Sequence, residues 1–199
     1  MIARPCWIFD LDGTLTVAQH DFAAMKRNLG LPPEQTLLEA AAARQGEEHA
    51  QFMAAIDAWE LEHADTAVAR PGADALLAAL AERGVALGVL TRNSAAHGAA
   101  HPGGGRPGAP LRPEAVAGRD SRRAEARARR PHLVAGRLGH TAQEAVMVGD
   151  FRFDLLAARA AGSLAVWLAA ERAALDLADL ADVVVRDLPE LQRLAVTGG

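Results

Sequence analysis

Short apolar runs alternate along the chain with stretches in which apolar residues recur at helical spacing. Cys6 to Phe9, Val85 to Leu90, Val146 to Val148, Leu164 to Leu168 and Val183 to Val185 form the runs. Runs of that length, bounded by polar or turn-forming residues, read as strands buried on both faces. Their alternation with helical patterns predicts an α/β fold in which helices cover a parallel sheet. Leu76, Leu77 and Leu80 make one amphipathic stripe stopped by Gly84, and Asp154 to Ala161 repeats the design up to Gly162. Glycine just past the last periodic residue is a common helix stop. Loops at the carboxyl ends of such strands are where parallel sheets bind ligands.

About seventy residues separate the first two strands, too many for one crossover connection. Their pattern is helical. Asp21 is placed to cap a helix whose apolar positions Phe22, Met25 and Leu29 share one face, and Gly30 followed by Pro32 and Pro33 ends it. Phe52, Ile56 and Trp59 repeat the spacing. The expectation is a small all-helical cap, residues 17–70, inserted after the first strand of a core formed by residues 1–16 and 71–199. Pro71 and Gly72 mark the return.

A chain of 199 residues can bury one full core, and 50% hydrophobic with 23% charged residues is the ordinary globular mix. A net charge of −4 provides no broad electrostatic footprint for nucleic acid. The lone Cys6 excludes an internal disulfide and fits a reducing compartment. No apolar run approaches the ~20 residues of a membrane helix, and a strand-like segment within the first ten residues leaves no room for a signal peptide. The expected location is cytoplasmic, with neither nucleic acid nor membrane as partner, as a monomer or homodimer. Trp7, Trp59 and Trp167 read as packing residues, and His20, His49 and His63 carry no metal-ligand spacing. Of 21 basic residues only Lys26, on the surface of the inserted unit, is a lysine.

The chemistry begins at Trp7-Ile8-Phe9-Asp10-Leu11-Asp12-Gly13-Thr14-Leu15. Two acids directly after an apolar strand bear desolvation and mutual repulsion, which a cation would relieve. Magnesium suits hard oxygen ligands, and phosphate completes its shell. Gly13 permits a tight turn and close backbone approach, and the Thr14 hydroxyl can hydrogen-bond nearby.

Asp10-Leu11-Asp12-Gly13-Thr14-Leu15 resembles the first motif of the haloacid dehalogenase-like hydrolases. The resemblance implies a Rossmann-like parallel sheet with helices on both faces, Mg2+ as cofactor, and Asp10 as the nucleophile that forms an aspartyl-phosphate. It implies that Asp12 is the general acid/base, and an acid at that position favours a phosphatase over a dehalogenase. Val85 to Leu90 followed by Thr91-Arg92-Asn93-Ser94 resembles the second motif. By that likeness Thr91 binds the transferring phosphoryl group, with Arg92 or Asn93 assisting. Val146-Met147-Val148-Gly149-Asp150 with Asp154 resembles the fourth, in which Asp150 joins Asp10 and Asp12 on the metal. Asp154 has three roles open to it: direct ligand, ligand through water, or cap of the helix that follows.

The family's third motif is a lysine, usually beside proline, between the second and fourth motifs. Here there is none. Gly98 to Pro131 carries six glycines, five prolines and eight arginines, with Leu111 and Val116 as its only large apolar residues. That stretch is expected to supply no strand or helix periodicity. Three readings stand: a disordered basic loop, a nucleic-acid arm without interleaved aromatic residues, or a reading-frame shift in a GC-rich gene. For the last, Ala95 to Leu111 back-translated with chosen codons and advanced one base yields RRTALRTLEAAGLARHF, an amphipathic helix ending in glycine. Ala124-Glu125-Ala126 treated likewise yields Pro-Lys-Pro. In every case Glu125 stands near the expected cation, and Arg127, Arg129 or Arg130 would have to substitute. Loss of one preorganised charge-stabilising group costs on the order of 3 kcal/mol, so weak turnover is expected.

The sequence thus predicts a phosphatase acting on a small phosphorylated metabolite, closest to the phosphoglycolate phosphatase-like branch with a cap between the first and second motifs. A sugar phosphomutase and a catalytically inactive pseudophosphatase are the alternatives.

Overall fold

The computed structural model describes residues 2–17, 22–32, 34–35, 37–64, 68–91, 111, 113–118, 130–170 and 176–196. Six strands form one sheet: β1 (Cys6–Phe9), β2 (Ala86–Leu90), β3 (Val116–Ala117), β4 (Ala145–Gly149), β5 (Leu164–Leu168) and β6 (Val183–Val185). Their order across the sheet is β3-β2-β1-β4-β5-β6, and every neighbouring pair is parallel. β1 is central, in register with β2 at Phe9 opposite Val89 and with β4 at Phe9 opposite Val148.

Period-two alternation sorts the strand side chains onto two cores. Trp7, Phe9, Leu87, Val89, Val146, Val148, Val166 and Leu168 face one side, where Leu76, Leu77 and Leu80 of α4 (Ala73–Glu82) and Leu188 and Leu191 of α7 (Leu188–Val196) cover them. Cys6, Ile8, Leu90, Met147, Ala165 and Trp167 face the other, under Val134 of α5 (Arg130–Arg137) and Leu155 and Ala158 of α6 (Arg152–Ala161). Both faces are apolar, which is why the strands read as continuous hydrophobic runs rather than alternating ones. The result is the Rossmann-like α/β sandwich.

The five strands read from sequence are all present, and one was missed. Gly98 to Pro131 does contribute to the sheet: Val116 and Ala117 form β3 beside β2, and Leu111, Ala115, Val116 and Ala117 are buried. Arg130 and Pro131 open α5. A strand of two residues, one of them alanine, has too little apolar signal to register in a window. Residues 95–110 and 124–126, on which the frame-shift reading falls, lie outside the described residues.

Between β1 and α4 stand α1 (Phe22–Asn28), α2 (Leu37–Ala42) and α3 (Gly46–Ala64). Met25, Ala40, Ala41, Phe52 and Ile56 form a small separate apolar cluster, with Leu29 and Trp59 packed against it. Asp21, the expected cap of α1, lies outside the described residues. The Arg44 guanidinium lies 4.1 Å over the Phe52 ring, and His49 Nδ1 is 2.8 Å from the Ala41 carbonyl oxygen, so both act in holding α2 to α3. The chain leaves and rejoins the core side by side: Val17 N–H donates to Val68 O at 2.9 Å, Thr16 bridges Ala69, and Arg70 N–H donates to Leu15 O at 2.8 Å. No helix among the described residues is long and apolar enough to cross a membrane.

Candidate active site

The sheet's strand order reverses its direction of growth between β1 and β4, and in open parallel sheets the crevice at such a switch point binds ligands. Asp10 follows β1, Asp150 follows β4 and Thr91 follows β2. Three adjacent strands therefore deliver their first post-strand residue to one edge. Asp154 joins them from the first turn of α6.

One carboxylate oxygen from each of Asp10, Asp150 and Asp154 lies within 4.8 Å of the other two, and all three residues are buried. Burial first, then the charges of Asp154, Asp150 and Asp12, push the Asp10 carboxyl well above its ordinary value, against a lowering by the Leu11 backbone N–H it accepts. The Thr14 hydroxyl, fully buried, lies 3.3 Å from Asp10 Oδ2 as donor. Asp10 N–H donates to Val148 O at 2.8 Å, continuing the β1–β4 ladder one step past the strand and fixing where the acid emerges.

The loop beyond Asp10 is tightly wound. Leu11 O accepts the N–H groups of Thr14, Leu15 and Thr16 and the Thr16 hydroxyl. Gly13 sits at φ +90°, and a Cβ built there would come within 2.2 Å of Asp150 Oδ2. Gly149 is used in the same way: its missing Cβ would meet Asp154 Cβ at 2.2 Å. Each of the two later aspartates thus rests on a glycine, and no larger residue leaves room for the carboxylate.

Thr91 is buried, its N–H donating to Ala117 O at 2.9 Å, which makes the missed strand β3 the anchor of the predicted phosphoryl-binding position. Arg92 and Asn93 lie outside the described residues. Asp12 is half-buried and stands outside the three-carboxylate group, close enough to act on Asp10 electrostatically. Asp154 is both a member of the group and a cap, because its Oδ2 accepts the Phe151 N–H at 3.1 Å.

Two contributors escaped the sequence. Trp167, read as packing alone, also donates its indole N–H to Asp150 O at 3.2 Å. Arg70, assigned to the end of the inserted unit, is buried and donates from Nη2 to Gly13 O at 2.8 Å. An indole and a guanidinium each carry donors that demand partners when buried, but which partner they find is a matter of tertiary contact.

Residues 6–162 match the family model described as haloacid dehalogenase-like hydrolase. The chain belongs to the haloacid dehalogenase-like hydrolases. No curated protein matches it in sequence. Among solved structures, this haloacid dehalogenase-like hydrolase is similar to CbbY from Rhodobacter sphaeroides in complex with phosphate, with 19% identity, TM-score 0.73, and 95% of this chain and 96% of that one covered. A mutant of the same protein is solved with xylulose-1,5-bisphosphate. A hydrolase from Pseudomonas syringae has 20% identity and TM-score 0.73 over 96% of each chain. A HAD hydrolase of family IA, variant 3, from Entamoeba histolytica has 15% identity and TM-score 0.72 over 93% of this chain and 94% of that one. At these identities the likeness establishes the fold, while the family rests on the match that spans β1 to the end of α6.

Proposed function

We propose that this haloacid dehalogenase-like hydrolase is a magnesium-dependent phosphatase of a small phosphorylated metabolite, working through an aspartyl-phosphate on Asp10. The observation that carries the reading is the buried trio Asp10, Asp150 and Asp154, with oxygens within 4.8 Å at the switch point of the sheet. Burial first, and then the charges of Asp154, Asp150 and Asp12, hold the Asp10 carboxyl well above its ordinary value, a cost that a bound cation would relieve. The donor set, all hard oxygens, fits Mg2+. Bound there, Mg2+ supplies the charge that keeps Asp10 ionised and neutralises the phosphate.

Asp10 then attacks phosphorus through a carboxylate oxygen, and the P–O bond to the alcohol breaks. Asp12, outside the trio, gives its proton to the departing alkoxide and takes one back from the water that hydrolyses the acyl phosphate. Free alcohol, phosphate and the original carboxylate result. Thr91 holds the phosphoryl oxygens beside Asp10, with Arg92 and Asn93 assigned to the same task. Residues 17–70 act as a cap on a core of residues 1–16 and 71–199, excluding water from the crevice. A cytoplasmic location accords with Cys6 being the only cysteine of the sequence. The similarity to CbbY solved with phosphate and with a sugar bisphosphate supports a small phosphorylated substrate.

Glu125, where the family has a lysine region, makes the chain as written a slow enzyme. Magnesium-dependent hydrolysis of a panel of phosphate monoesters tests both points, with the chain itself, Asp10→Asn and Glu125→Lys run side by side. The expected outcome is low activity that Asp10→Asn abolishes and Glu125→Lys raises about a hundredfold. Asp10→Asn retaining activity would sink the nucleophile assignment, and full activity in the unmodified chain would sink the deficit.

A further inference from the structure

We propose that Arg70 is a positioning residue of the metal site, acting through the Gly13 peptide; the proposal rests on the magnesium-site reading above. Arg70 is 7% exposed, and its Nη2 donates to Gly13 O at 2.8 Å across 57 positions of sequence. Its backbone is tied to the same loop, its N–H donating to Leu15 O at 2.8 Å, and its carbonyl accepts the Ala73 N–H at the start of α4. One residue therefore clamps the loop at two points and joins it to the first helix after the insertion.

The residue whose carbonyl it holds lies against Asp150. Gly13 lies at φ +90° with its Cα directly under the Asp150 carboxylate, so a Cβ there would stand 2.2 Å from Oδ2. The Gly13 backbone is thus in close contact with the Asp150 carboxylate, and a shift of the loop as a whole would move the surface on which that carboxylate rests. The hydrogen bonds of Arg70 to Gly13 O and Leu15 O resist such a shift. Arg70 reaches the loop through the Gly13 and Leu15 carbonyls, and the loop is what it positions. Burying a guanidinium is costly, since desolvating the ion is strongly unfavourable. It is warranted where the carbonyl must stay fixed and where four aspartates, Asp10, Asp12, Asp150 and Asp154, leave surplus negative charge.

The proposal is tested by titrating the full chain with Mg2+ calorimetrically, for wild type, Arg70→Met, Arg70→Lys and the remote glycine variant Gly84→Ala. Removing a residue that orients metal ligands typically weakens binding by about 10–100-fold, and that loss is expected for Arg70→Met. Arg70→Lys, which keeps one cationic donor, is expected between Met and wild type. Gly84→Ala, destabilised at a distance, keeps wild-type affinity. Arg70→Met binding as tightly as wild type overturns the proposal, as does a lysine variant no better than methionine. Should Arg70→Met fail to fold, Arg70→Gln replaces it under the same criteria. A wild-type chain that binds no magnesium overturns the metal-site reading itself, and this proposal with it, whereas tight wild-type binding with an unaffected Arg70→Met removes only the role of Arg70.

Discussion

Gly13→Ala separates the site's geometry from ordinary backbone strain. At Gly13 a Cβ would lie 2.2 Å from Asp150 Oδ2 and 2.7 Å from Asp150 Cγ, where ordinary contact begins at 3.4 Å. The shortfall at the oxygen is 3.4 − 2.2 = 1.2 Å. Asp150 has little freedom to retreat, because its carbonyl accepts the Trp167 indole N–H and its backbone continues β4. Two penalties follow: about 1–2 kcal/mol for a left-handed alanine and about 1–3 kcal/mol for overpacking. Gly84 has a similar φ of +73° with nothing within 4 Å of its would-be Cβ, so Gly84→Ala incurs only the first. At about 2–4 °C per kcal/mol for a chain of this size, Gly13→Ala should lower Tm by roughly 4–20 °C and Gly84→Ala by roughly 2–8 °C. The decisive readout is the magnesium increment. Saturating a site at a hundredfold excess over Kd stabilises by about 2.7 kcal/mol; Gly84→Ala should keep that increment and Gly13→Ala should lose most of it. Differential scanning fluorimetry with and without MgCl2 measures both. If Gly13→Ala melts with Gly84→Ala and retains the full increment, Asp150 does not depend on the bare Cα and the argument fails.

Asp154→Ala should lower the pKa of Asp10, because it removes the largest charge acting on that carboxyl; a carboxyl-carbon NMR titration showing Asp10 unmoved would contradict this. The same variant loses the Phe151 N–H cap, for about 1 kcal/mol of stability. Without metal, the folded chain binds the Asp10 proton more tightly than the unfolded chain does, so stability should rise as pH falls from neutral through the raised pKa toward the ordinary 3.8. With magnesium the trend should reverse, since protons then compete with the metal for the same oxygens. Melting curves across pH for the chain and Asp10→Asn test the sign, and a pH trend shared by both would exonerate Asp10.

Much of this was legible because the sheet is buried on both faces. Strands such as Cys6–Phe9 and Leu164–Leu168 are then apolar throughout, and each acid that interrupts the pattern at a strand end stands out. Asp10 and Asp12 stood out in that way and Asp150 and Asp154 through the likeness to the family's fourth motif, and the structure brings Asp10, Asp150 and Asp154 together. β3 was lost because two small residues beside a Gly- and Arg-rich segment carry almost no pattern, although its neighbour β2 fixes it in place. The glycine seats under Asp150 and Asp154 were only half readable. Glycine announced a turn at position 13, but the side chain that occupies the vacated space comes from more than a hundred residues away. Arg70 and Trp167 were unreadable for the same reason: burial of a donor predicts that a partner exists and says nothing of its identity.

The paired entry and exit segments of the insertion carry an engineering consequence. Val17 and Val68 are hydrogen-bonded neighbours, so the sheet's framework spans no gap that the intervening 50 residues, 18–67, are needed to bridge. A short Gly- and Asn-containing hairpin joining Val17 to Val68 would close the chain at lower entropic cost, by about 2 kcal/mol for a tenfold shorter loop. The three helices are in that sense expected to behave as a plug-in part: a chain with residues 18–67 replaced by such a hairpin should still melt cooperatively, with Arg70 left in the socket to hold the loop of Asp12 and Gly13.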